Sequence, residues 1–170
     1  EIIPTEDGSE RWMSVTKIPR YNVEGTIIGT MAISQDVTLL KQTEKEAART
    51  HTLLQTLLDA IPESVSFKDS QHRFTIVNKA LARTFKVSPE AMIGKTDFDY
   101  MPKEQAQKTF EQDTLIVQNG SSIVDSVEMS TDEHGASQWV SVTKVPRYDS
   151  EGKIIGSLCI SRDITQWMRL

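Results

Sequence analysis

Residues 12–38 read WMSVTKIPRYNVEGTIIGTMAISQDVT, and residues 139–165 read WVSVTKVPRYDSEGKIIGSLCISRDIT. Extended to Gly8–Thr38 and Gly135–Thr165, the passages align without a gap at an offset of 127, with 18 identities in 31 positions. Chance does not produce such a match, so one structural unit occurs twice. In the second copy Trp139, Ser141 and Thr143 alternate with Val140, Val142 and Lys144, the two-residue period of a strand. The turn signal Asp149-Ser150-Glu151-Gly152 follows, which makes the unit a hairpin. After the turn, KIIGSLCISRDI is apolar on both faces, as a strand covered on each side would be, and Gly156 marks a bulge or a close backbone approach. Pro146 lies near the end of its strand, where a missing ladder donor is tolerated.

Working outward, 170 residues correspond to one ordinary domain and part of another, enough to bury a core. The apolar fraction of 38% and charged fraction of 25% are those of a soluble globular chain. A net charge of −5 without a basic stripe argues against nucleic-acid binding and against a membrane-surface helix. The single cysteine, Cys159, excludes an internal disulfide, and there is no CxxC or Cys/His cluster to hold zinc or attach haem covalently. A reducing, cytoplasmic compartment fits. The longest apolar stretches, at Thr52 and Ile27, are too short for a membrane span and lack the flanks of a signal peptide.

Leu39–Ala60 is rich in helix formers and is closed by Pro62, predicting one helix about 33 Å long at 1.5 Å per residue. Leu40, Ala47, Leu54 and Ile61 recur every seven residues, with Thr43, Thr50 and Leu57 in the companion register. That pattern fits a short parallel coiled coil, and equally a single amphipathic helix lying on its own domain's sheet. SVSFK and RFTIV follow as two short strands, then a helix capped by Asn78. Ser88-Pro89-Glu90 opens a short helix that Gly94 ends, and Asp97 or Asp99 starts a further turn. Lys103 to Gln118 reads as a longer amphipathic helix with Phe110, Leu115 and Val117 as apolar positions, stopped at Asn119-Gly120. A third strand, SIVDSVEMS, places Ile123, Val127 and Met129 on one face.

That order, with IPESVSFKDSQHRFTIVNKAL, IGKTDFDYMP, the W-x-S-V-T-K-V-P hairpin and the closing D-I-T, resembles the PAS domain family, in its PAS-fold-4 branch. The resemblance implies an α+β fold with a five-stranded antiparallel sheet, helices over one face, and a pocket between sheet and helices. The strands would lie near residues 64–68, 73–77, 122–130, 138–147 and 153–162. It divides the chain into residues 1–38, the C-terminal β-hairpin of a truncated upstream PAS domain; 39–61, a linker helix; 62–165, a complete PAS domain; and 166–170, the start of a following helix. A hairpin cut from its sheet is expected to present two open edges.

For chemistry the sequence offers His51, His72 and His134 on separate elements, without a motif for nucleophilic, metal or phosphate chemistry, so no catalytic residue and no enzyme is expected. Asp97 and Asp99 read as caps and turn residues rather than a carboxylate pair. Family members that hold haem take a histidine from the long helix, and residues 103–118 contain none. Relatives that bond flavin use a helical cysteine, whereas Cys159 is in a strand and reads as a small buried hydrophobe. No cofactor and no metal is therefore expected. Trp12 and Trp139 read as core packing, the alternative being rings that line a pocket or close the sheet's outer face. Lys144, inside a strand otherwise built for burial, pairs either with an acidic ligand or with a neighbouring carboxylate.

The resemblance makes Phe67, Phe74, Ile76, Phe85, Met92, Phe98, Met101, Phe110, Met129, Ser141 and Thr143 the candidate ligand pocket. Leu40, Ala47, Leu54, Ile61, Asp163 and Thr165 become candidate signal-relay positions. The implied function is a sensory and dimerisation module of a larger signalling protein such as a sensor kinase, which binds a small ligand or relays a change through its flanking helices. The alternative is a purely structural relay with a filled core. The expected partners are a second copy, joined through the N-terminal hairpin and linker helix, the other domains of the parent protein, and a small molecule; no nucleic acid or membrane contact is expected.

Overall fold

The computed structural model describes residues 1–4, 10–131 and 136–168. His134, one of the three histidines weighed above, and the last two residues of the expected following helix lie outside the described residues. The chain divides into two compact units, Glu1–Leu54 and Gln55–Leu170.

The first unit contains β1 (Ile2–Pro4), β2 (Glu10–Tyr21) and β3 (Ile27–Asp36) in a three-stranded antiparallel sheet. Its β2–β3 hairpin is the first repeat copy, and β1 corrects the expectation of two open edges. Ile2, Ile3 and Pro4 pair with Trp12, Arg11 and Glu10 along the start of β2. Residues 1–3 and most of β2 and β3 remain exposed, including Ile18, Met31 and Ile33. The helix α1 (Thr38–Ala60) runs across the division between the units.

In the second unit, α1 ends and is followed by β4 (Ser64–Asp69), β5 (Phe74–Val77), α2 (Lys79–Thr84) and α3 (Pro89–Met92). A 3-10 turn at Asp97–Asp99 leads into α4 (Lys103–Asn119), then β6 (Ile123–Thr131), β7 (Ser137–Tyr148), β8 (Ile154–Asp163) and α5 (Thr165–Met168). The sheet is antiparallel throughout in the order β5-β4-β8-β7-β6, so the last strand lies at the centre beside the first. This is the five-stranded sheet that the sequence implies.

The two copies agree in detail. Met129, Ser130 and Thr131 pair with Trp139, Gln138 and Ser137, the register of Ile2, Ile3 and Pro4 on β2 shifted by 127. Register shifts fall at Arg20/Tyr21 and at Arg147/Tyr148. Gly29 and Gly156 adopt nearly the same positive φ, 157° and 154°. Of the two, only Gly156 has a second strand against it, since a Cβ there would sit 1.9 Å from the Lys68 carbonyl oxygen on β4, whereas one on Gly29 would meet nothing within 4 Å. The glycine at this position serves a close strand approach, which the second copy contains.

Helix boundaries follow local chemistry. The Asn78 side chain accepts the Leu81 N–H, Ser88 Oγ accepts that of Ala91, and Gly120 ends α4 in the left-handed conformation. Two expected faces are corrected. On α4 the buried positions are Ala106, Asp113 and Ile116, while Phe110 and Leu115 are exposed. On β6 a register shift between Ile123 and Ser126, with Asp125 at φ 49°, reverses the alternation, so Ile123 faces opposite to Val127 and Met129.

Candidate functional site

Strand pairing decides which residues meet the helices. Lys68 pairs with Ser157, Ser66 with Cys159, Lys144 with Cys159 and Val142 with Ser161, so these side chains share one face of the sheet. Across from that face stand Leu81, Thr84 and Phe85, then Tyr100, Met101 and Pro102, then Gln105, Lys108, Thr109 and Gln112 of α4. Between the two layers lies a cavity of about 400 Å³. Phe74, Phe85 and Met101 of the candidate pocket residues line it, whereas Met129 borders it from β6 with its side chain on the outer face, where its partner is Trp139.

The other candidates are placed elsewhere. Phe67 pairs with Ile76 and with Leu158, and Thr143 with Ile160, so these lie on the sheet's outer face; Ser141, opposite Arg162, joins them. Ser141 and Thr143 hold the β6 bulge instead: Thr143 Oγ1 accepts the Asp125 N–H at 3.2 Å, and Ser141 Oγ donates to the Asp125 carboxylate at 3.3 Å. Met92 is wholly buried against Phe74, Val77 and Ala82. Phe98 and Phe110 meet at a tilt of 56° with centroids 6.1 Å apart, and Phe110 receives the His72 ring edge-on at 4.6 Å. Trp139 is half-buried on the outer face, opposite Met129.

At the cavity's floor four charged side chains converge. Lys68 of β4 donates to Asp97 of the 3-10 turn and to Asp113 of α4, the latter at 2.7 Å. Lys144 of β7 lies 3.1 Å from the other Asp113 oxygen without a well-directed hydrogen bond. All four are buried, with relative exposures of 2% for Lys68 and Lys144, 4% for Asp97 and 0% for Asp113. Lys144 thus pairs with a carboxylate of its own domain. Asp97, read from sequence as a turn residue, is an ion-pair partner, and Asp99 supplies the cap by accepting the Thr96 N–H at 2.8 Å.

Burial by itself pushes the Lys68 pKa down, but Asp97 and Asp113 outweigh it and hold the ammonium above its ordinary range. Burial likewise pushes the Asp113 carboxyl up, and Lys68 and Lys144 reverse the sign, leaving it below the ordinary carboxylate range. His72, buried with Nε2 3.3 Å from Thr114 Oγ1, is held below the usual imidazole value by desolvation. Cys159 lines the cavity, and burial pushes its thiol up to about 11, so it is a protonated apolar wall rather than a nucleophile.

Sequence reasoning singled out Lys144 but passed over Lys68 and Asp113. Their signal was present: Ala106, Asp113 and Ile116 share a helix face by their spacing of seven and three, which puts a carboxylate in a core stripe.

The relay candidates divide between two settings. Leu40, Ala47, Leu54 and Ile61 are exposed along and just beyond α1, whose buried residue is Leu58. Asn78, fully buried, donates from Nδ2 to the carbonyls of Leu58 and Glu63 and accepts the Val65 N–H, fastening the end of α1 to β4. At the other junction Asp163 accepts the Thr165 N–H at 2.8 Å, and Thr165 Oγ1 accepts the Trp139 N–H at 2.9 Å. Asp36, Thr38 and Trp12 repeat these bonds in the first copy at 2.9 and 2.8 Å. An open groove lined by Pro62, Glu63, Arg83, Arg162 and Asp163 shares Ser64, Thr84, Gln138, Val140 and Ser161 with the cavity. Both junctions therefore border the cavity's approach.

A twisted antiparallel sheet with helices over one face and an enclosed, partly polar cavity is the architecture of a sensory domain. The chain belongs to the PAS fold family, whose pattern matches residues 1–42 and 58–167, the second copy and the first alike. It is similar to the methanogenesis regulatory histidine kinase FilI of Methanothrix harundinacea (strain 6Ac), 27% identical over 134 residues, 79% of this chain and 15% of that protein. It is also similar to the aerobic respiration control sensor protein ArcB of Escherichia coli (strain K12), 26% identical over 118 residues, 69% of this chain and 15% of that one. The chain spans about 15% of the length of these relatives. Among solved structures, VqmA of Vibrio cholerae aligns with a TM-score of 0.59 at 28% identity, over 66% of this chain and 50% of that chain. VqmA bound to DPO aligns with the same TM-score at 27% identity, over 64% and 56%. No helix among the described residues is long and apolar enough to cross a membrane.

Proposed function

We propose that this chain is a cytoplasmic sensory input segment of a larger regulatory protein of the histidine-kinase kind, which takes a small molecule into the cavity between sheet and helices. Occupancy shifts the equilibrium between two arrangements of the sheet and its flanking helices, and α1 and α5 report it. No catalytic step is assigned to the chain. The observation that carries the reading is the cavity itself: about 400 Å³ falls within the range of small-molecule sites, and its walls combine apolar side chains, Phe74, Leu81, Phe85 and Val142 among them, with polar and charged ones. The likeness to FilI, ArcB and ligand-bound VqmA supports the same class. The position of both helix junctions on the cavity's approach supplies a route from occupancy to output.

Native mass spectrometry of the purified chain, before and after mild denaturation, tests this. A retained small molecule lost on unfolding supports a sensor. Co-purified ligand absent from every preparation, with no change in hydrogen exchange at Leu58–Glu63 or Asp163–Thr165 on screening small molecules, would instead leave the structural relay.

The same reading includes a homodimer through the first unit. Its support is the second edge of β3, which has no strand against it among the described residues, though the matching edge of β8 receives β4. Exposed Met31 and Ile33 and the exposed seam of Leu40, Ala47 and Leu54 add apolar surface for a second copy. Sedimentation that shows a monomer at tens of micromolar protein would overturn this part alone.

A further inference from the structure

Lys68, Lys144 and Asp97 line the cavity floor with Asp113 fully buried against the two lysines, and the four formal charges cancel. Lys68 is shared between two carboxylates, and Lys144 faces the remaining oxygen of Asp113. At the cavity's edge Lys108 and Glu128 pair at 2.8 Å and cancel again. Lys86 is exposed, so its charge is carried by water. A ligand bearing a full charge would therefore bring an uncompensated ion into a buried site, which is unfavourable unless a partner is supplied.

The floor is nevertheless not saturated with hydrogen bonds. Lys144 Nζ and Asp113 Oδ1, both buried, make no directed hydrogen bond within the protein. The two face one another at 3.1 Å, so each answers the other's charge, and of the pair only Lys144 lines the cavity. Lys144 and Asp97, the donor and the acceptor of the cluster that line the cavity together with Lys68, favour an incoming group that can answer both.

Size adds a bound. At about 30 Å³ for each water's share of liquid volume, 400 Å³ corresponds to roughly a dozen heavy atoms. Phe74, Phe85, Leu81 and Val142 supply flat and branched apolar surface for the ligand's body.

Resting on the sensory reading above, we infer that the ligand is a small uncharged molecule, with an apolar, ring-sized body and one amide-like edge carrying a donor beside an acceptor. The edge meets the floor at Lys144 and Asp97, and the body lies under α2 and α4. Net charge, rather than shape, is the property the floor selects.

Three probes of almost identical shape isolate that property: benzamide is neutral with a donor–acceptor edge, benzoate is an anion and benzamidine is a cation. Their affinities for the full chain are measured by heteronuclear NMR titration at pH 7. Benzamide should bind at least tenfold more tightly than either ion, with shifts at Ser66, Val142 and Lys144. Asp97→Asn leaves the floor one positive charge in excess and should move the preference to benzoate. Lys144→Met leaves it one negative charge in excess and should move the preference to benzamidine. Each variant's dispersed NMR spectrum reports that it is folded, and Asp97→Asn, an isosteric change, keeps the test available if Lys144→Met unfolds. A wild-type preference for either ion, or ranks that do not follow the two substitutions, overturns the charge rule while leaving the cavity as a ligand site. Absence of binding by all three to every folded variant overturns both the rule and the sensory reading of this cavity.

Discussion

Replacing Asp113 by asparagine keeps the side chain's shape and removes its charge from the centre of the buried cluster. Lys68 retains Asp97, but Lys144 loses the one carboxylate that the described residues place against it. Removing one partner of a buried ion pair costs about 3–5 kcal/mol, because the other charge is left uncompensated in a medium that solvates it poorly. A domain of ordinary stability holds about 5–15 kcal/mol, so the variant stays folded but gives up a large share. With a urea slope near 2 kcal/mol/M, the midpoint for the second unit should fall by about 1.5–2.5 M. Adding Lys144→Met removes the stranded ammonium and restores a neutral Lys68–Asp97 pair, so the double variant should regain at least half of the loss. The acid limb provides an independent check. Asp113 is held below its ordinary value, so its stabilisation is complete above about pH 4, the unfolded carboxyl's value, and disappears as pH falls through the depressed folded value. That part of the wild-type acid decline should be missing from Asp113→Asn. A single variant within about 1 kcal/mol of wild type, or a double variant less stable than the single, would refute the reasoning.

Further outcomes follow from other sites. His72 is held below the usual imidazole value, so it contributes stability above about pH 6.5 that is lost as pH falls through its lower folded value; His72→Gln should flatten urea midpoints between pH 7 and 5. Gly156→Ala forces a Cβ onto the Lys68 carbonyl and should cost the second unit about 2–4 kcal/mol, whereas Gly29→Ala bears only backbone strain of about 1–2 kcal/mol. Equal losses at the two glycines, measured by hydrogen exchange on each sheet, would contradict the role given to β4. Cys159, with its thiol raised to about 11, should react with a disulfide reagent at pH 8 at least tenfold more slowly than in the urea-unfolded chain.

The repeat at residues 12–38 and 139–165 already states most of the fold, because strand alternation, the Asp149–Gly152 turn and the Asp163–Thr165 ending are local signals. Asn78, Ser88 and Gly120 were legible for the same reason, since a cap acts on backbone groups three or four residues away. Which side chains enter the cavity was not legible. Ser141 and Thr143 differ from Val142 and Lys144 by one residue, and in a strand one residue is the whole difference between the two faces. The bulge at Asp125 inverted Ile123, and the contacts of Phe98, Phe110 and His72 join three distant segments. The pairing of Lys68 with Asp97 and Asp113 spans 29 and 45 residues, and no local pattern states a distance of that kind. The sequence by itself therefore determined the elements and their order, through short-range periodicity and capping. Only the tertiary structure decided the charge-neutral floor, because burial and ion pairing depend on what strand register and helix docking bring together.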